Sequence, residues 1–293
     1  MPYKYRDQWH VKMRSLKKKQ TLKHRSEGTI ESYMMILEQI WHMLGEPIDP
    51  LGVPLETYQT LENIMKAEDY MDNTIVLYMT VLRVFLKFSG YPDLEEIYVL
   101  TRALPKENRV FLEEEQIAAA REVAHKLGAR YELSYSLAVD NSLRRADISN
   151  ITLDEALSLV SKGEAYIMQK GKRKRLLILH RNTLDPLKAY LKEREEGLKK
   201  SGVTADPFLF VHFQSGKHVG PSAVYYWIIK ISDAAGFYFR PHDLRATFVR
   251  RHSRAGTRPE TVMNLAGHKS WGTTFRHYYG EDQREMKNAQ NKI

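Results

Sequence analysis

Apolar residues recur at three- and four-residue intervals through most of the chain, the period of helices with one buried face. Ile30, Tyr33, Leu37, Ile40 and Leu44 form one such stripe, with Ser26 or Thr29 as cap and Gly45 as stop. Pro47, Pro50, Gly52 and Pro54 mark a loop, and a shorter helix is expected over 55–66. Asn73 or Thr74 opens a strong stripe, Ile75, Tyr78, Leu82, Phe85 and Phe88, which ends at Gly90. With a weaker segment over 94–100, this predicts a compact four-helix domain. The polar stretch 101–109, with Pro105, reads as a linker. Helices are expected again over 113–127, 131–139 and 144–151, and later over 183–198, 221–235, 242–255 and 259–266. Between these groups the period changes. Short apolar runs at 165–168 and 176–179 flank the basic stretch 170–175, which predicts a β-hairpin with a basic turn. The expected fold is mainly α with a small antiparallel β-sheet, and no internal repeat suggests a solenoid.

Length agrees with two domains: the chain has 293 residues, at roughly 150 per domain. The expected division is a basic arm over 1–25, a helical domain over 26–100, a linker over 101–110 and a second domain over 111–293. The chain has no cysteine. That excludes a disulfide scaffold, thiolate zinc or iron–sulfur sites and a cysteine nucleophile, and it suits an intracellular protein. No apolar run is long enough for a transmembrane helix, and the first residues lack the apolar core of a signal peptide.

Charge adds a candidate partner. Lys and Arg number 45 against 36 Asp and Glu, a net charge of +9, which suits a polyanion. Residues 1–25 carry nine of those cations and one acid. Lys17, Lys18, Lys19, Lys23 and Arg25 are the densest part, either a solvated tail or an arm that touches phosphates. Lys172, Arg173, Lys174 and Arg175 in the hairpin turn read the same two ways.

Several polar groups interrupt apolar faces in the second half: Leu143-Arg144-Arg145-Ala146-Asp147, the turn at Lys170, His242-Asp243-Leu244-Arg245, Gly267-His268-Lys269-Ser270 and Arg276-His277-Tyr278-Tyr279. Each alone reads as capping, packing or a solvated turn. Together they supply two arginines, a lysine, two histidines and a tyrosine, which suits attack on a phosphodiester. Guanidinium groups grip non-bridging oxygens and meet the charge that grows in the transition state. Neighbouring cations favour a phenolate, and a histidine can take its proton. The product of such an attack is a covalent phosphotyrosine that keeps the bond available for rejoining.

This set resembles the tyrosine recombinases, the family of phage integrases, Xer-type recombinases and Cre-like enzymes. The resemblance spans roughly residues 20–285. His242-Asp243-Leu244-Arg245 matches its most recognisable box. Gly267-His268 with Thr273-Thr274, Leu143-Arg144 with Asp147, and Lys170-Gly171 match three more. The region from Asn73 to Leu86 resembles its core-binding domain. The resemblance implies a helical core-binding domain and a catalytic domain that close as a C-shaped clamp on double-stranded DNA. It implies that Arg144 and Arg245 hold the scissile phosphate and Lys170 protonates the 5′ oxygen. His242 would accept a proton, His268 would bond the phosphate, and Tyr278 would be the nucleophile. No metal or nucleotide cofactor is implied. Four protomers would exchange strands through a Holliday junction.

Some positions depart from the family pattern. Ser142 stands where glycine is frequent, and Arg145 beside Arg144 leaves a one-residue shift open. Tyrosine is frequent nine residues after the second-box histidine, where this chain has His277. Tyr278, at ten, fits a common variant, with Tyr279 as the alternative nucleophile. Other functional classes are a type IB topoisomerase and a catalytically silent DNA-binding protein of the same fold. A metal hydrolase using His242 and His268 lacks carboxylates at ligand spacing.

Overall fold

The structure is a computed structural model, and it describes residues 4–22, 27–45, 54–90, 110–169 and 173–267. The chain divides into two compact units, Met1–Glu107 and Asn108–Ile293. Among the described residues, no helix is long and apolar enough to cross a membrane.

The first unit holds α1 (Lys4–Leu22), α2 (Glu27–Leu44), α3 (Pro54–Ala67) and α4 (Asp72–Phe88). The expected stripes of α2 and α4 face one core, in which Leu37, Ile40, Leu82 and Phe85 are fully buried. Within the expected arm 1–25, the described residues 4–22 are not separate from the first unit. They form α1, and Trp9, Met13 and Leu16 lie in that same core. The Trp9 ring sits 5.5 Å from that of Trp41 and 4.5 Å from that of Phe85. These three residues keep helical spacing, but basic and polar residues surround them, so local charge hides a thin apolar stripe. Lys17, Lys18 and Lys19 are exposed on α1, and Lys19 lies over the Phe88 ring at 4.9 Å. Lys23, Arg25, the segment 94–100 and the linker 101–109 lie outside the described residues.

The second unit is built around α6 (Ala129–Val139), whose residues 133–139 are all buried. A helix buried on every side shows little periodicity, and its neighbours α5 (Glu114–Leu127), α9 (Arg181–Ser201), α10 (Pro221–Ala235) and α11 (Pro241–Arg254) surround it. The expected helix over 144–151 is only α7 (Arg145–Ser149). It is followed by α8 (Leu153–Lys162), absent from the expected helices although Ala156, Leu159 and Val160 keep helical spacing. The ends of α8 were legible in its local chemistry. Thr152 and Glu155 form a reciprocal capping box, and Gly163 at φ +73° closes the helix. α12 (Pro259–Ala266) packs on α11 through Phe248, Val249, Val262 and Ala266.

The hairpin is present, with longer strands than expected. β1 (Glu164–Gln169) pairs antiparallel with β2 (Arg173–Ile178), Tyr166 opposite Leu176 and Ile167 opposite Arg175. Arg173, Lys174 and Arg175 therefore belong to a strand. Ala165, Ile167, Arg175 and Leu177 share the buried face, while Tyr166, Met168, Lys174, Leu176 and Ile178 are exposed. Arg175 is not an exposed turn residue: it is 8% exposed.

Candidate active site

Three short segments carry the described part of the site. The first follows α6. Ser142 is buried with φ +54°, a left-handed conformation that a side chain disfavours, which accounts physically for glycine being frequent at this position. The turn sets Arg144 as the N-cap of α7. Arg144 is half-buried, and its Nη1 lies 3.7 Å from Oδ2 of Asp147, whose side chain is 1% exposed. The neighbouring Arg145 is exposed and lies over the Tyr225 ring at 5.6 Å. Of the two arginines left open by the sequence, the structure turns Arg144 toward the buried carboxylate.

The second segment is the first turn of α11. Arg240 caps it, and Asp243 Oδ2 accepts from the Arg240 backbone N at 2.9 Å and from its Nε at 3.1 Å. Asp243 is thus a structural cap. His242 is exposed on this turn, and Arg245, three residues on, is 3% exposed. Arg245 Nη1 donates to the carbonyl oxygen of Ser142, which ties α11 to the turn before Arg144. Its Nη2 has no hydrogen-bond partner. Farther along α11, Arg251 bonds Glu114 at 2.7 Å and lies 3.5 Å from Asp140, which Arg121 bonds at 2.7 Å. These pairs lock α11 to α5 and α6. Thr247 Oγ1 also accepts from the Leu112 backbone N at 3.0 Å.

The third segment is β2. Arg175 Nη2 donates to the carbonyl oxygen of Leu265 near the end of α12, while its Nε and Nη1 are buried without partners.

The electrostatics join these segments into one site. Burial, followed by the charges of Arg144 and Arg175, pushes the Arg245 guanidinium down to about 9, against the opposing pull of Asp147. Burial also lowers Arg175 to about 10, with Asp147 raising it and Arg144 lowering it further. Three guanidinium groups therefore share one carboxylate in a poorly solvated place. Such a site is completed by an anion with several acceptor oxygens.

The structure thus brings together Arg144 and Arg245 of the sequence-predicted set, and sets His242 on the same turn as Arg245. Arg175, assigned from the sequence to an exposed turn, joins them. Strand alternation contained the signal, because Arg175 is two residues before the buried Leu177. Lys170, His268, Tyr278 and Tyr279 lie outside the described residues, as do Lys172 and the side chain of Arg173. A cleft of about 620 Å³ between β2, α9 and α12 is lined by Arg175 and Leu265 but not by Arg144, His242 or Arg245. Among the described residues, no group of His, Asp and Glu is placed to hold a metal ion.

Comparison with known proteins bears on this geometry. The chain is 24% identical over 217 residues to tyrosine recombinase XerA of Thermococcus onnurineus, covering 72% of each chain. It is 23% identical to a tyrosine recombinase of Thermosipho africanus, over 90% of this chain and 93% of that one. A crystal structure of a lambda integrase tetramer bound to a Holliday junction superposes with a TM-score of 0.68 at 17% identity, over 89% of this chain and 77% of that one. Residues 110–285 match the model of the phage integrase family, more than half of the chain. The chain belongs to the phage integrase family and is a tyrosine recombinase.

Proposed function

We propose that this tyrosine-type site-specific recombinase cuts and rejoins duplex DNA through a 3′-phosphotyrosine on Tyr278. The observation that carries the reading is the buried cluster around Arg245, whose unpartnered Nη2 and surplus positive charge call for a phosphate. Arg144 and Arg245 hold non-bridging oxygens of the scissile phosphate, and His268 hydrogen-bonds the same phosphate. The Tyr278 oxygen attacks phosphorus while His242 takes the phenolic proton. The bond from phosphorus to the 5′ oxygen breaks, and Lys170 protonates that leaving oxygen. Attack by a 5′ hydroxyl on the phosphotyrosine reverses these steps and rejoins a strand.

Exchange of strands between two DNA sites needs two pairs of cuts, and four protomers on a Holliday junction meet that need. The lambda integrase tetramer supports this assembly by likeness of fold. The exposed Lys17, Lys18, Lys19 and Lys174, with Lys23, Arg25, Lys172 and Arg173, contact DNA phosphates. Work on cellular DNA places the protein in the cytoplasm.

The test uses a pool of nicked duplexes with randomised sequence, in which cleavage beside the nick traps the covalent intermediate. Adducts are recovered under denaturing conditions and the bound DNA is sequenced. The expected result is an adduct with one enriched sequence, lost in Tyr278→Phe and kept in Tyr279→Phe. Loss in Tyr279→Phe alone moves the nucleophile by one residue. An adduct without sequence enrichment favours a nicking-closing topoisomerase. Tight DNA binding with no adduct in any form refutes catalysis.

A further inference from the structure

The inward face of a two-stranded hairpin is a place for apolar side chains, and three of its four described positions here hold Ala165, Ile167 and Leu177. The fourth holds Arg175. A buried guanidinium there is costly unless something uses it, because each unpaired buried donor forfeits its bonds to water. Only one of its nitrogens is engaged, Nη2 on the Leu265 carbonyl. That bond anchors the guanidinium at Nη2, the nitrogen common to both of its forked edges, and leaves Nε on one side and Nη1 at the end without partners. Asp147 is the carboxylate nearest in charge effect, and it already pairs with Arg144. Arg245, in the same cluster, also keeps a free nitrogen, Nη2.

We infer that Arg175 is a third arginine of the phosphate site, donating from a nitrogen left free by the Leu265 bond to the scissile phosphodiester beside Arg144 and Arg245. The inference rests on the proposed cleavage of DNA by this same site. The charge balance supports it. Three guanidinium groups against Asp147 leave two positive charges. A phosphodiester brings one negative charge in the ground state and gains a second as the pentacoordinate transition state forms. The cluster is therefore matched to the transition state more closely than to the bound substrate, which is the condition for accelerating the step. The tie from Nη2 to Leu265 fixes the guanidinium in advance, so little reorganisation is needed when the charge develops.

The experiment compares wild type, Arg175→Met and Arg175→Lys on the nicked duplex enriched in the selection described above. The duplex is made with either an ordinary or a methylphosphonate linkage at the scissile position. A methylphosphonate lacks the ionised non-bridging oxygen, so a residue that neutralises that charge matters less on it. The expected result is a loss of about 10²–10³-fold in adduct formation by Arg175→Met on the phosphodiester. On the methylphosphonate the difference from wild type falls below about 10-fold. Arg175→Lys keeps the charge and loses the fork, and is expected to fall between wild type and Arg175→Met. If Arg175→Met does not fold, Arg175→Lys carries the same comparison. Equal losses on both linkages would mean that Arg175 only holds Leu265 and α12 in place, and would overturn the inference. Wild-type rates in both variants would overturn it while leaving the recombinase reading intact. No adduct from wild type would remove that reading and the inference with it.

Discussion

Replacing Arg245 with methionine is expected to stabilise the second unit while abolishing DNA cleavage. Arg245 is 3% exposed, and burial with two neighbouring guanidinium groups pushes its guanidinium well down, to about 9. At 1.36 kcal/mol per unit, that displacement corresponds to roughly 5 kcal/mol of unfavourable environment for the charged form. Removal of the side chain also removes its unpartnered Nη2. Against this stands the bond to Ser142, whose carbonyl is left unpaired at a cost of about 1–3 kcal/mol. Methionine fills most of the same volume with a flexible apolar chain. The net expectation is a gain of about 2 kcal/mol, within the range seen when buried charges give way to apolar residues. Urea unfolding would be followed by hydrogen exchange in peptides from α6 and α11, which report the second unit alone. A loss of more than about 1 kcal/mol in Arg245→Met would refute the reasoning, because it would mean the cluster is self-satisfied rather than waiting for an anion.

Other outcomes follow from the same structure. Ser142→Gly removes both a left-handed side chain at φ +54° and a buried hydroxyl without a partner, and should raise stability by about 1 kcal/mol in the same unfolding assay. Trp9→Ala should cost the first unit about 3–5 kcal/mol by urea unfolding, whereas a free arm would tolerate it. His180 and His252 are both pushed below 6.5, chiefly by burial, so the unfolded chain binds more protons than the folded one beneath that pH. Stability from these groups is complete above 6.5 and lost as pH falls below it; melting temperatures between pH 7.5 and 5 should drop, and less steeply in His252→Asn. DNA affinity should fall with salt at a log–log slope of several units, and a slope near one would argue against extensive phosphate contact.

Local chemistry made much of this protein readable. The stripes of α2 and α4 survive because amphipathic helices carry their burial pattern in their own spacing. Arg144 and Arg245 stood out because cations interrupt otherwise apolar stretches there, and the structure brings the two segments together through the bond from Arg245 to the Ser142 carbonyl. The capping box at Thr152 and Glu155 was equally legible and agrees with the helical spacing of Ala156, Leu159 and Val160. Where charge outnumbered apolar residues, local reading failed: α1 looks like a basic tail, although Trp9, Met13 and Leu16 belong to the core.

What the sequence determined by itself was most of the helices, the hairpin and the two-part organisation. Each of these depends on residues close together in the chain. The tertiary structure decided which cations are buried together and which remain in solvent. Arg245 meets the Ser142 carbonyl across 103 positions and Arg175 meets that of Leu265 across 90. Lys174 and Arg175 are neighbours in a basic run, yet one is exposed and the other buried. Charge in sequence is a property of composition, whereas its cost and its use depend on solvation, and solvation is set only when distant segments close over the side chain.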